Sequence, residues 1–254
     1  MSKKYLKYFR KKKKEAEQNV EMQKKRRIRL DELLVQLGYA QSRERAKALI
    51  QSGYVLVDGN LIIKASAQYV QGVVIKMTAK DIPWVSRAGL KLEKALKTWP
   101  ININNTICLD VGSSTGGFTD VLLNQGAKKV YALDVGHDQL AQRLRDDHRV
   151  ISMEDKNIRV ATIAWFTEPI DVITVDVSFI SLKHILPKVF ELLRENGEAV
   201  VLIKPQFEVG KAYIGKGIVR DPVLHKQIID TIKELSIKEG LTPVDVIESP
   251  IKGV

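Results

Sequence analysis

Leu30, Leu33, Leu34 and Leu37 recur at i, i+3, i+4 and i+7, so the spacing predicts a helix with one apolar face, and Gly38 offers its stop. Ser42 offers an N-cap to a second helix, whose apolar face is Ala46, Leu49 and Ile50 and which Gly53 can end. The run YVLVDGNLII follows. Its Asp58-Gly59 pair, set between two apolar stretches, predicts a tight hairpin. VVIKM at 73–77 predicts a further strand. Residues 27–80 together predict a small α+β module. Pro83 and the loss of periodicity around it place a linker at 81–85. Beyond it, strand patterns (107–111, 129–134, 149–152, 171–177, 198–203, 243–248) alternate with helix patterns (86–97, 117–125, 138–146, 181–195, 222–239). Such alternation predicts an α/β unit over 86–254, with a mostly parallel sheet, helices on both faces and ligands beyond the carboxyl ends of the strands. The apolar stretch 200–203 reads as an interior strand.

Charge adds a third region. The chain has 254 residues and a net charge of +11, of which residues 1–29 carry +10, residues 30–80 carry +2 and residues 81–254 carry −1. A basic tail over 1–26 is a footprint for polyanions, nucleic acid first and an anionic membrane surface second. Tyr5, Tyr8 and Phe9 interleave with Lys4, Lys7 and Arg10, which suits base stacking beside phosphate contacts as well as a solvated helix. The single cysteine, Cys108, permits no intrachain disulfide and agrees with a reducing compartment, so a cytoplasmic location is expected. No apolar run approaches the roughly 18 residues of a membrane span, and the basic N-terminus lacks a signal peptide's apolar region. Neither membrane nor metal is expected as a partner, and a monomer is expected.

Candidate chemistry sits where the predicted strands end. LDVGSSTGGFTD (109–120) follows a strand and opens a helix, with Gly112, Gly116 and Gly117 permitting turns and close approach. Asp134, closing the next strand, can accept hydrogen bonds from ribose hydroxyls. The string is not G-x-G-x-x-G, so a dinucleotide site fits less well. Asp176 closes the strand in ITVDVSFISL; an unpaired core carboxylate is costly, so it faces the cleft or caps the following helix, a task Ser178 or Ser181 can also do. Phe179 is either core or a stacking surface for a base. Lys204 closes VVLIK as a functional cation or a snorkelling one. Leu90, Leu92 and Leu96 are core candidates, and periodicity leaves Lys91 open.

These strings carry a resemblance. Acidic-x-G-x-x-x-G-G resembles the S-adenosylmethionine loop of class I methyltransferases. Lys91, Asp176 and Lys204 stand in contexts like the Lys-Asp-Lys-Glu tetrad of FtsJ-like ribose 2'-O-methyltransferases. SRAGLKL, LDVGSSTGGFTD, DVSFISL and KPQFEVG, in this order, resemble the TlyA family of ribosomal RNA 2'-O-methyltransferases, which also carry the name hemolysin. RLDELLVQLGYAQSRERAKALIQSGYVLVDG (29–59) is similar to the RNA-binding module, like that of ribosomal protein S four, which precedes the catalytic domain there. The resemblance covers about 27–254.

It implies a class I methyltransferase fold of the Rossmann-like kind, S-adenosylmethionine as cofactor, and 2'-O-methylation of ribosomal RNA, with cytidines of 16S and 23S RNA in assembled subunits as targets. It implies catalysis by Lys91, Asp176 and Lys204. Cofactor contacts are expected from Asp110, Gly112, Ser113, Gly116 and Asp134, with Glu154 and Asn157 near the adenine. RNA docking is expected through Arg29, Arg43, Arg45 and Lys47, assisted by Arg26 and Arg27, and Phe179 is expected to stack an extruded base. One departure matters: the family's fourth tetrad residue is a Glu after an SP motif, whereas this chain reads ESPIKGV, and its Glu248 precedes Ser249-Pro250. With no room for a returning strand after 243–248, a chain shorter than the natural protein by about one strand is expected. Two alternatives follow: an RNA-binding assembly factor with a weak catalytic site, favoured by the missing Glu, and a membrane-lytic hemolysin, which lacks a spanning segment. The loop at 109–120 argues against a pseudouridine synthase. DVSF stands where amino methyltransferases of DNA carry N/D-P-P-Y/F, which favours an oxygen target.

Overall fold

A computed structural model describes residues 27–40, 42–51, 53–70, 72–78, 82–209 and 218–251. The basic tail and Arg26 lie outside the described residues. The chain divides into two compact units, 1–83 and 84–254.

In the first unit, β1 (Arg27–Arg29) leads directly into α1 (Leu30–Gln36), and α2 (Arg43–Gln51) follows. Ser42 Oγ accepts the Arg45 N–H at 3.1 Å, the predicted cap. Then come β2 (Val55–Val57), β3 (Asn60–Leu61), β4 (Gln68–Val70) and β5 (Ile75–Met77). Asp58 and Gly59 both have positive φ, +49° and +80°, the left-handed pair that lets β2 and β3 fold back tightly. The antiparallel pair β1–β4 had no sequence signal, since three residues are too few for a period to show. Leu30, Leu34, Ala46, Leu49, Ile50, Val55 and Val57 form the core. Leu37 is a correction: the helix ends at Gln36, so the last leucine of the stripe is exposed.

The second unit is built on a five-stranded sheet in the order β10-β9-β6-β7-β8, parallel throughout. Its elements are α3 (Gly89–Thr98), β6 (Ile107–Val111), α4 (Gly117–Asn124), β7 (Lys129–Leu133), α5 (Gln142–Arg145), β8 (Val150–Met153), β9 (Ile170–Val175), α6 (Leu186–Leu192), β10 (Leu193–Val201), α7 (Pro205–Glu208) and α8 (Pro222–Lys238). Alternate residues serve opposite faces. Leu109, Val111, Leu133, Ile173 and Val175 meet α6 and α8, while Cys108, Val130, Ala132 and Val172 meet α3 and α4. With both faces covered, β6 is buried at every residue. Strand order reverses at β6, which has β9 on one side and β7 on the other, so the cleft opens there.

Several expectations are corrected. Residues 243–248 form no strand. Hydrogen bonds from α3 and the residue that caps it hold this irregular segment instead, Lys94 Nζ to the Glu248 carbonyl (2.7 Å) and Trp99 Nε1 to Asp245 Oδ2 (3.0 Å). Among the described residues β10 is therefore a sheet edge, not an interior strand. It also starts at Leu193, because the helix expected over 181–195 is a 3-10 turn (Leu182–His184) followed by α6, with Pro187 in its first turn. The helix expected over 138–146 shortens to α5, since Asp138 has φ +49° and Ala141, at ψ 136°, is not yet helical. The linker is shorter than 81–85: Trp84 and Val85 are buried in the second unit, and Val85 N–H donates to Asp120 Oδ2 at 2.8 Å.

Candidate active site

Three loops at the carboxyl ends of β6, β9 and β10, together with the turn before α3, enclose one cavity. The β6 loop supplies Gly112, Ser113, Ser114 and Thr115; the β9 loop supplies Asp176 and Ser178; Lys204 follows β10; Ser86, Ala88 and Lys91 come from α3 and its approach.

The loop after β6 passes so close to the β9 loop that only glycine fits. At Gly112 φ is +82°, and a Cβ would stand 2.7 Å from the Asp176 carbonyl oxygen. At Gly117 a Cβ would collide with Ser86 Oγ. Each glycine thus keeps the cavity wall at backbone distance. Gly112 and Ser113 N–H both bond the Leu133 carbonyl, tying the loop to β7. Asp134, half-buried just past β7, accepts Ser114 N–H at 2.8 Å and Gly136 N–H at 2.7 Å, so it stands directly behind the loop. Ser113 Oγ is buried and has no hydrogen-bond partner. A buried, unpartnered hydroxyl on a cavity wall is free to donate to a bound group or an ordered water.

Asp176 bridges two lysines. Lys91 Nζ lies 2.8 Å from Oδ2, and Lys204 Nζ lies 2.6 Å from Oδ1. The three side chains are 12–19% exposed, shielded yet open to the cavity. Lys204 Nζ also donates to Ser178 Oγ at 2.8 Å. Ser178 escaped notice in the sequence except as a possible cap; Ser181 does that job, accepting Lys183 N–H, which frees Ser178 for the lysine. The sequence also missed Ser86, Ser114 and Thr115 as cavity residues, for hydroxyls in loops carry no periodic signal.

Asp110 does not face the cavity. Its carboxylate is fully buried beneath α4, where Oδ2 accepts the N–H and Oγ1–H of Thr119 (2.9 and 2.7 Å) and Oδ1 accepts Thr174 Oγ1–H (3.0 Å). Burial pushes this carboxyl up to about 6 against the threonine hydrogen bonds. Gly116 lies against Leu140 and Leu144 rather than the cavity. Glu154 accepts Gln139 and Leu140 N–H and pairs with Arg145 at 2.7 Å. Burial pushes its carboxyl up, yet these three partners outweigh burial and hold it below the usual range. Asn157 accepts Arg159 N–H at a 3-10 turn. Glu154 and Asn157 therefore shape the loops beside Asp134 and lie outside the cavity lining.

Phe179 is 91% exposed, with φ +64°, a conformation costing a bulky residue on the order of 1–3 kcal/mol. In the first unit, Arg29 and Arg43 both bond the buried Asp31 (2.8 and 3.3 Å), and Arg29 first among them holds that carboxyl down at about 2. Arg27 and Lys47 are exposed, with no carboxylate partner among the described residues, and Arg45 is half-buried.

A parallel α/β sheet with a glycine-bearing loop after its first strand and an acid after its second is shared by dinucleotide-binding folds and class I methyltransferases, and the family match assigns this chain to the latter. The FtsJ-like methyltransferase model matches residues 84–254, and the S4 domain model matches residues 28–75. The chain belongs to the FtsJ-like methyltransferase family, in the group that includes TlyA and hemolysin A. It is 40% identical over 230 residues to the 16S/23S rRNA (cytidine-2'-O)-methyltransferase TlyA of Mycobacterium tuberculosis, covering 90% of this chain and 86% of that protein. It is 45% identical to hemolysin A of Brachyspira hyodysenteriae, covering 89% and 95%. The solved structure of a "putative hemolysin" from Streptococcus thermophilus superposes with a TM-score of 0.71 at 41% identity, covering 89% of this chain and 84% of that one. Among the described residues no helix is long and apolar enough to cross a membrane, and no cluster of side chains suits a metal ion.

Proposed function

We propose that this protein methylates a ribose 2'-hydroxyl of ribosomal RNA, a cytidine within an assembled subunit, using S-adenosylmethionine in the cytoplasm. The observation that carries the proposal is the Lys91–Asp176–Lys204 bridge on the wall of the cavity behind the β6 loop. The cavity suits the cofactor: the orphaned Ser113 hydroxyl and the close backbone approach at Gly112 leave a polar cradle, and Asp134, outside the cavity lining but bonded to Ser114 of its wall, is the nearby acid for ribose hydroxyls. When bound, S-adenosylmethionine supplies a methyl group on a positively charged sulfur, to be taken by the 2'-oxygen in line.

Lys204 directs that oxygen. As an ammonium it has three N–H groups. Two go to Asp176 and Ser178, and the third is left for the 2'-oxygen. Its charge stabilises the alkoxide character that grows as the hydroxyl proton departs to water. Asp176 fixes the direction of Lys204, and Lys91 on its other oxygen keeps that carboxylate from turning away. Arg27, Arg29, Arg43, Arg45 and Lys47 in the S4 domain offer contacts to phosphates, with Arg26 just before them, and these position the RNA without reading its sequence. A ribose inside folded RNA must be displaced to enter a cleft, at a cost on the order of a few kcal/mol, and the exposed Phe179 ring receives the extruded base.

The test pairs two measurements. Lys204→Ala is expected to abolish methyl transfer to purified ribosomal subunits and to bind S-adenosylmethionine nearly as wild type in calorimetry. Wild-type turnover in that variant refutes the role of Lys204. A wild-type chain that binds subunits and transfers nothing supports the assembly-factor alternative.

A further inference from the structure

The segment after β10 reaches back to the Phe179 loop at three points. Lys204 holds Ser178 Oγ at 2.8 Å. Glu208 accepts Ser181 Oγ–H at 2.6 Å and Leu182 N–H at 3.0 Å. Between those anchors Phe207 meets Phe179, with ring centroids 5.2 Å apart and planes inclined by 49°. The loop is thus pinned on both sides of Phe179, and its exposed ring, carried on a strained backbone, is fixed in place rather than left to collapse onto the core. Phe207 is half-buried, so one part of its ring supports Phe179 and another stays accessible. Lys204 Nζ lies 6.0 Å from the Phe207 ring centre.

We propose that Phe207 joins Phe179 in a two-ring site for the base of the target nucleotide and is a substrate-positioning residue of this enzyme. The inference rests on the RNA methylation reading above. Two inclined rings offer an extruded base one face to stack on and one edge to abut, which a lone exposed ring does not. Because the same short helix begins just after Lys204 and carries Phe207, a base held there keeps its own ribose beside Nζ. Stacking is tolerant of base identity, so the pair positions a nucleobase and leaves its identity to other contacts.

The test compares substitutions that keep or remove the ring. Phe207→Leu preserves apolar bulk and loses the π face; Phe207→Tyr preserves both. Base–aromatic stacking predicts a fall in kcat/KM on ribosomal subunits of roughly 5- to 150-fold for Phe207→Leu, with Phe207→Tyr close to wild type and cofactor affinity unchanged in both. Equal activity of the two variants overturns the proposal, because mere packing is served by either side chain. A Phe207→Trp chain reports independently of turnover. Its emission, less that of the parent with its three tryptophans, is expected to be quenched on binding subunits, and unchanged emission overturns the proposal. A wild-type chain that methylates no ribosomal RNA overturns both this inference and the function it rests on. A fully active wild type beside a fully active Phe207→Leu overturns this inference alone.

Discussion

Asp110→Asn separates a structural carboxylate from a cofactor ligand. The native carboxyl is fully buried, accepts three hydrogen bonds from Thr119 and Thr174, and is pushed by burial from 3.8 up to about 6. Between those two values the folded protein binds more protons than the unfolded chain. Stability therefore falls as pH rises through that window, and the whole penalty is present at pH 7. Its size is about 3 kcal/mol, from the difference between about 6 and 3.8 at 1.36 kcal/mol per pH unit. Asparagine has the same shape and no charge. Its carbonyl can accept both Thr119 bonds, and its amide can donate to Thr174 Oγ1 once that hydroxyl turns. The variant is expected to be more stable than wild type at pH 7 by up to about 3 kcal/mol, a rise in melting temperature of roughly 6–12 °C for a unit of this size. The gain should vanish as pH falls below 3.8. Thermal melts across that pH range, with cofactor titrations alongside, make the assay. A variant less stable than wild type at pH 7, or a gain that does not shrink in acid, refutes the reasoning. Loss of cofactor affinity in a stably folded variant returns Asp110 to the cofactor role read from the sequence.

Gly112→Ala forces a Cβ to within 2.7 Å of the Asp176 carbonyl at φ +82°, so it should cost about 1–3 kcal/mol of stability and most cofactor affinity, read by melts and calorimetry. Asp134→Ala removes the acceptor for Ser114 and Gly136 N–H together with the proposed ribose partner, so cofactor affinity should fall while subunit binding persists; unchanged affinity would remove Asp134 from the proposed cofactor site. Arg27→Glu and Lys47→Glu should weaken RNA binding and flatten its salt dependence by about one phosphate contact each. They test the S4 surface more cleanly than reversal at Arg29 or Arg43, where a new acid would face the buried Asp31.

Local signals in the chain were strong where one residue type does one job. Asp58-Gly59 specified its hairpin, Ser42 its cap, and the strand ends at Asp176 and Lys204 their place at the cleft. What stayed hidden depends on tertiary partners. Asp110, next to last in β6, packs under α4 onto Thr119, whereas Asp176, just past β9, meets two lysines. Strand alternation puts Asp110 on the face of Cys108 and α4, but it does not say which partners wait there, and Asp176 lies beyond its strand, where alternation no longer applies. Residues 243–248 alternate like a strand, but a strand needs a ladder to join, and the bonds from Lys94 and Trp99 hold the segment elsewhere. Ser178 and Phe207 became visible only when the β9 and β10 loops were brought together in space.

The claim that Lys91, Asp176 and Lys204 serve a ribose oxygen is tested most directly by alkaline cleavage of ribosomal RNA after incubation of subunits with the protein and labelled cofactor. A methyl group on the 2'-oxygen blocks the internal attack that cuts the neighbouring phosphodiester. Label is expected to be confined to an alkali-resistant dinucleotide from one cytidine position, with none after Lys204→Ala. Label released as an alkali-sensitive, base-methylated mononucleotide would contradict the claim.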